Sequence, residues 1–164
     1  MLYRKLFSAV LASLVSFGVA AAGYDVELAA SYAKLFEPAV GAKTGKALHM
    51  MTPDQLVKDL QAGKQIVALD IRTPNEFGVF GLTIPGSIEI PINEVFLPEN
   101  LQHIPQDKTV VVVCKSGTRA TAVGTALRHV GFEKIYVLKG GLMALSKYLG
   151  PKTAYPPMPE LSAR

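Results

Sequence analysis

The chain has 164 residues, of which 49% are hydrophobic and 18% charged, which suits one compact domain with terminal extensions. This balance excludes a disordered polyelectrolyte, and the absence of Trp and of any Lys/Arg run longer than two residues argues against a nucleic-acid binder. A single cysteine excludes an internal disulfide framework and a cysteine-rich zinc site.

Residues 1–22 predict a cleavable signal peptide. Arg4 and Lys5 form a cationic start, and the apolar run from Leu6 to Ala22 ends in small residues. This run is at the short end of the roughly 17–25 residues that span a bilayer, which favours cleavage over a retained membrane anchor. We therefore expect export to the bacterial periplasm and no membrane association after cleavage. The remaining chain carries 15 basic and 13 acidic residues.

Residues 23–49 predict an N-terminal extension of the mature chain, with one amphipathic helix from Val26 to Phe36. The GAKTGKAL segment that follows is interpreted as a linker, because it lacks the glycine spacing and the Ser or Thr of a phosphate-binding loop. The domain itself is expected over residues 50–149. Residues 150–164 contain a Pro-rich stretch and are predicted to form a C-terminal tail.

The domain alternates predicted helices and strands. In chain order we predict a helix opened by Thr52 and ended by Gly63, strands over residues 66–70, 87–91 and 110–114, a helix over 118–130, a strand over 134–138 and a helix ending at Leu149. The strands at 66–70 and 110–114 are almost continuously apolar, which is typical of strands covered on both faces. The pattern predicts an α/β fold with a mostly parallel central sheet flanked by helices.

Cys114 lies at the end of the most hydrophobic predicted strand, where parallel sheets bind their ligands. The residues that follow it, before the next helix, are Lys115, Ser116, Gly117, Thr118 and Arg119. A loop that enters a helix directs backbone N–H groups to one point, and two cations add to the positive field there. This setting favours a reactive thiolate over the alternative, an inert core cysteine.

Three segments resemble the rhodanese family. LDIRTPNEF (69–77) with IPGSIEIP (84–91) is similar to the strand and salt-bridge signature of that family. CKSGTR (114–119) is similar to its active-site loop, and IYVLKGGLMAL (135–145) to a second signature with paired glycines. The resemblance covers about residues 50–149 and identifies the chain as a single-domain, exported member.

The resemblance implies sulfur transfer. Cys114 would take the outer sulfur of an anionic donor such as thiosulfate and carry it as a persulfide, which a thiol or cyanide would then empty. The backbone amides of Lys115 to Arg119 would hold the persulfide and the leaving anion, and Lys115 and Arg119 would attract the donor. A protein could be the sulfur acceptor instead. No cofactor is implied.

Asp70, Arg72 and Glu76 are expected to support the loop, with Glu76 paired to Arg72 at i,i+4 spacing. Family members often carry Gly-His where this chain has Leu82 and Thr83, so no histidine is expected at that edge of the site.

Two alternative functions also use a cysteine in a loop of this kind. A phosphatase or arsenate reductase is disfavoured, because their loops have five residues between Cys and Arg instead of four, and Val113 stands where they usually have His. A non-catalytic sulfur carrier or sulfur-binding partner module stays open, because the same loop would serve it.

His49, His103 and His129 are not at metal-ligand spacing, so no metal is expected.

Overall fold

The computed structural model describes residues 23–150 and Thr153. The predicted signal peptide, residues 1–22, and most of the predicted tail, residues 150–164, lie outside the described residues. No helix in this described part of the chain is long and apolar enough to cross a bilayer.

Five parallel strands form one sheet with the order β1-β5-β4-β2-β3. The strands are β1 (Met50–Met51), β2 (Ile66–Asp70), β3 (Ile88–Glu89), β4 (Thr109–Val113) and β5 (Ile135–Leu138). The helices are α1 (Val26–Phe36), α2 (Pro53–Gln61), α3 (Pro74–Val79), α4 (Pro98–Leu101), α5 (Thr118–His129) and α6 (Gly141–Tyr148), with a 3₁₀ helix at Gly41–Leu48. The predicted α/β class and parallel central sheet are confirmed.

The two central strands, β2 and β4, are covered on both faces, which explains their continuous apolar sequence. On one face the core includes Val67, Leu69, Val110 and Val112 of the sheet with Val123 and Leu127 of α5. On the other it includes Ile66, Ala68, Val111 and Val113 with Leu56, Leu60, Leu142 and Leu145 of α2 and α6. Each fully buried Val or Leu stabilises the fold by about 1.5–3 kcal/mol. The site at the carboxyl end of β4 therefore lies at the end of a strand that is packed on both faces.

The segment interpreted as a linker is instead the 3₁₀ helix Gly41–Leu48, so that interpretation is wrong. The Thr44 hydroxyl donates to the Gly41 carbonyl at 2.8 Å, and Arg128 of α5 donates to the carbonyls of Ala47 and Leu48. These last contacts join residues about eighty positions apart. Long-range contacts of this kind leave no local pattern in the sequence, which is why the segment looked unstructured.

Three short elements were not predicted: β1, α3 and α4. β1 has two residues and pairs only along β5, so it is too short to show alternation. The start of α3 does carry a signal, because Thr73 and Glu76 form a capping box around Pro74. That signal lay inside the segment interpreted as a family signature.

Candidate active site

Cys114 is the first residue after β4 and its side chain is fully buried. Its Sγ accepts hydrogen bonds from the N–H of Gly117 at 3.2 Å and from the N–H of Ala120 at 3.4 Å. Both donors lie at the N-terminal end of α5, where the helix dipole adds partial positive charge. Two backbone donors at a helix N-terminus therefore converge on this sulfur.

Of the loop residues predicted from the sequence, Gly117 has its amide directed at this sulfur, and the second amide donor, Ala120, was not predicted. Ala120 lies in the first turn of α5, so its N–H is one of those that a helix leaves without an internal partner. The predicted helix start at Thr118 was the signal that could have identified it. Ser116 and Thr118 are exposed, and their hydroxyl oxygens are 3.4 Å apart.

Gly117 gives the loop the turn that brings its N–H back to the sulfur. Its φ of 90° is in the left-handed region that favours glycine. A Cβ at this position would also lie 3.1 Å from the N atom of Gly140 and 3.2 Å from the carbonyl oxygen of Leu138. The loop therefore packs directly on the backbone that enters α6.

The N-terminus of α6 holds the loop from behind. The N–H of Leu142 donates to the Cys114 carbonyl at 2.9 Å, and that of Met143 donates to the Lys115 carbonyl at 3.1 Å. This close approach requires Gly141, where a Cβ would overlap the Cys114 carbonyl oxygen and lie 2.7 Å from the N atom of Gly117. With its carbonyls bound by α6, the loop presents its N–H groups to the sulfur.

Asp70 and Arg72 form a buried ion pair behind the loop, with Arg72 Nη2 2.7 Å from Asp70 Oδ2. Arg72 also donates to the backbone carbonyls of Glu76 and Phe80, at the two ends of the last turn of α3. Because Arg72 lies just after β2, these two hydrogen bonds connect α3 to the end of that strand. The ion pair therefore fixes the position of the helix. The role of Asp70 and Arg72 in supporting the loop stays a prediction.

The expected pairing of Glu76 with Arg72 is wrong. The Glu76 carboxylate instead accepts from both terminal nitrogens of Arg119, at 3.1 and 2.9 Å. The Arg72 guanidinium donates to the Asp70 carboxylate instead. It contacts Glu76 through the backbone carbonyl of that residue and not through its carboxylate. Glu76 therefore supports the loop across the site, by holding the first turn of α5.

This pairing lowers the pKa of Glu76 to about 2, mainly through the hydrogen bonds from Arg119 and secondarily through the backbone of Thr73. The same contact raises the pKa of Arg119. The pair is intermediate in exposure, with side chains 33% and 28% exposed. The Arg119 guanidinium therefore has an ion-pair partner, the Glu76 carboxylate.

Lys115 differs from Arg119 in this respect. Its side chain is exposed and has no ion-pair partner within the part of the chain that the structure describes. It is therefore the loop cation that is open to an anionic ligand.

In the same described residues, no group of three or more His, Cys, Asp or Glu side chains could hold a metal ion.

Comparisons with known proteins match this architecture. Residues 52–148 match the family described as Rhodanese-like domain. A protein named "Sulfurtransferase" from Allochromatium vinosum is 30% identical over 95 residues, which is 58% of this chain and 85% of that protein. The crystal structure of a rhodanese-related protein from Thermoplasma volcanium superposes with a TM-score of 0.53 at 26% identity, over 63% of this chain and 95% of that one.

A further relative is much longer than this chain. "Probable adenylyltransferase/sulfurtransferase MoeZ" from Mycobacterium tuberculosis is 33% identical over 101 residues, covering 62% of this chain and 25% of that protein. This chain therefore spans about a quarter of the length of that relative.

Replacing Gly141 should disrupt the loop. We expect Gly141→Ala to lower the free energy of unfolding by about 2–5 kcal/mol, because the residue has a φ of 59° and the added Cβ overlaps the loop. Gly45→Ala is the matched control, because no heavy atom lies within 4 Å of its Cβ. Urea unfolding of the two variants checks this, and equal stabilities would contradict the close approach of α6.

Glu76 should make the protein sensitive to acid. Its folded pKa of about 2 lies below the ordinary 4.5, so the unfolded chain binds more protons between these values. The stability that this carboxylate contributes is present above pH 4.5 and is lost as the pH falls toward 2. Glu76→Gln should cost about 1 kcal/mol at pH 7 and flatten the fall in stability between pH 5 and 3, measured by urea unfolding. The same slope as in the wild type would refute the Glu76–Arg119 assignment.

Proposed function

Because the chain belongs to the rhodanese-like domain family, we propose that it is a sulfurtransferase. It moves sulfane sulfur from an anionic donor such as thiosulfate to a thiol or cyanide through a persulfide on Cys114. The observation that carries this proposal is the pair of backbone N–H groups, from Gly117 and Ala120, directed at Sγ. The predicted signal peptide supports the periplasm as the place of this reaction.

The first half-reaction forms the persulfide. The Cys114 thiolate attacks the outer sulfur of thiosulfate, a new S–S bond forms, and the original S–S bond breaks with its electron pair leaving on sulfite. The negative charge passes from Sγ to the attached outer sulfur. The amides at the start of α5 stabilise the charge on both atoms without having to reorient.

The second half-reaction returns the cysteine. Cyanide or a thiolate attacks the outer sulfur of the persulfide, and the S–S bond breaks with its electron pair returning to Sγ. The products are thiocyanate or an acceptor persulfide, together with the original thiolate. One cysteine is sufficient for this ping-pong sequence, in agreement with the single cysteine of the chain.

A sulfur carrier is the second candidate, and the complete burial of Cys114 favours it. A persulfide enclosed in this way is protected from water and from passing thiols, so it could persist until a protein acceptor binds. The carrier and the enzyme share the first half-reaction and differ in the rate of the second. The same experiment therefore separates them.

Persulfide formation should depend on Cys114. After treatment with thiosulfate, the wild type should gain the mass of one sulfur atom and then lose it to cyanide, with continuous release of thiocyanate. Cys114→Ser should do neither, because a hydroxyl does not form a stable bond to sulfane sulfur. Intact-mass spectrometry and a thiocyanate assay measure both steps.

The outcomes discriminate between the candidates. A stable mass gain without turnover would identify a carrier, whereas no mass gain from thiosulfate or from a persulfide donor would refute sulfur transfer altogether. Thiocyanate release by Cys114→Ser at the wild-type rate would likewise refute a persulfide on this residue.

Lys115 should attract the anionic donor. We expect Lys115→Ala to raise KM for thiosulfate about fivefold with little change in kcat, because one exposed charge contributes up to about 1 kcal/mol. Raising the ionic strength from about 0.01 to 1 M shortens the Debye length from about 30 to 3 Å and should raise the wild-type KM in the same way.

Lys108→Ala is the matched control for this experiment. Lys108 is also exposed but precedes β4, whereas Lys115 lies just after it, so the two charges are at opposite ends of this strand. An unchanged KM in Lys115→Ala, or an equal rise in Lys108→Ala, would exclude a local electrostatic role.

A further inference from the structure

A cavity of about 410 Å³ lies between the N-terminal segment, residues 23–49, and the C-terminal end of α5. The N-terminal segment contributes the end of α1 and the 3₁₀ helix, and α5 contributes its last turn and the residues that follow it. The part of the chain that matches the rhodanese-like domain begins at residue 52. The cavity is therefore built in part from residues that the family domain does not include.

Two sets of contacts hold the N-terminal segment against α5. The Tyr32 ring stacks on the His129 ring, with centroids 4.0 Å apart and an angle of 2° between the rings. The Ser31 hydroxyl oxygen is 3.1 Å from His129 Nε2, within hydrogen-bond distance. Arg128 donates to two carbonyls at the end of the 3₁₀ helix. Because α1 and the 3₁₀ helix are both attached to α5, the cavity between them has a defined shape.

Three basic side chains line this cavity, those of Lys43, Lys46 and Arg128. A 3₁₀ helix has three residues per turn, so Lys43 and Lys46 lie on the same face of it. Glu133 is the acidic residue of the lining. Within the residues that the structure describes, none of these four side chains makes an ion pair. The lining therefore carries an excess of two positive charges.

The pKa values of two lining residues reflect this excess of positive charge. Burial lowers the pKa of the Arg128 guanidinium, because the charged form loses contact with water. Burial also lowers the pKa of His49, and the positive charge of Arg128 lowers it further. Both shifts show that positive charge is disfavoured here. An anion placed between these groups would offset that cost.

The rest of the lining is mainly apolar. Leu35 and Pro38 come from the N-terminal segment, and Phe132, which is 8% exposed, follows α5. The volume of the cavity is within the roughly 300–1,000 Å³ of pockets that bind small molecules, which combine apolar walls with a few charged or polar groups. The cavity therefore fits a small organic molecule with one strongly charged end.

We propose that this cavity binds a small organic dianion of the phosphate-monoester type. Its charged group lies between Lys43, Lys46 and Arg128, and its apolar part lies against Phe132. The two negative charges match the excess of positive charge in the lining. This site is separate from the sulfur-transfer loop, because Arg128 and Thr118 are near opposite ends of α5, about 15 Å apart at 1.5 Å per residue.

Phenyl phosphate and inorganic phosphate are the probes, because they share the charged group and only the first has an apolar part. In isothermal titration calorimetry at about pH 8 and low ionic strength, we expect the protein to bind phenyl phosphate about tenfold more tightly than inorganic phosphate. Lys43→Ala and Lys46→Ala should each weaken the binding of phenyl phosphate about fivefold, the effect of one exposed charge. Both side chains are exposed, so folding should tolerate these variants, and thermal unfolding verifies it.

Lys147→Ala is the matched control, because Lys147 is also exposed but belongs to α6, which covers the other face of the sheet. The control should keep the wild-type affinity. Proton NMR reports the position of the ligand. The imidazole signal of His49, identified by its loss in His49→Gln, should shift on binding, whereas that of His103, which does not line this cavity, should not.

Three results would overturn the proposal. The first is that neither probe binds, or that the two bind with equal affinity. The second is an equal loss of affinity in Lys147→Ala and Lys43→Ala, which would show a general attraction of anions to the surface. The third is a loss of affinity in Lys115→Ala but not in Lys46→Ala, which would place the anion at the sulfur-transfer loop.

Discussion

The site depends on one constraint of the backbone: the loop after β4 must direct its N–H groups at Sγ while its carbonyls face the other way. Unsatisfied backbone carbonyls in a buried turn are costly. The N-terminus of α6 satisfies these carbonyls. The N–H groups of Leu142 and Met143, which have no partner within the helix, donate to the carbonyls of Cys114 and Lys115. Two helix N-termini therefore meet at one loop. That of α5 faces the sulfur, and that of α6 holds the loop from behind.

The remaining charged residues keep these helices in place. The buried Asp70–Arg72 pair ties α3 to β2, and Glu76 of α3 then holds Arg119 in the first turn of α5. The chain of contacts runs from the central sheet to the helix that supplies the amides. Because both carboxylates are paired with arginines, neither leaves an unpaired negative charge at this end of the sheet.

The fold was predictable to the extent that it follows from local pattern. The apolar runs at 66–70 and 110–114 identify the covered strands, and Thr52 and Gly63 mark a helix that the structure places at Pro53–Gln61. The Cys114 loop was likewise visible from its position after a buried strand. The partner of Glu76 was not, because spacing along a helix indicates only which residues could meet. The guanidinium of Arg72 is paired with Asp70, and the Glu76 carboxylate is paired with Arg119, forty-three positions away.

The pairing of Glu76 with Arg119 also changes the charge that the loop presents to solvent. With both cations free, the loop would attract any small anion by charge alone. Since the Arg119 guanidinium is held by Glu76, the attraction falls mainly on Lys115, whose flexible side chain gives little directional selectivity. Lys115 also lies in a cleft with exposed apolar side chains, those of Val79, Phe80 and Met143. The Glu76–Arg119 ion pair therefore has two effects: it holds the first turn of α5, and it neutralises one of the two cations of the loop.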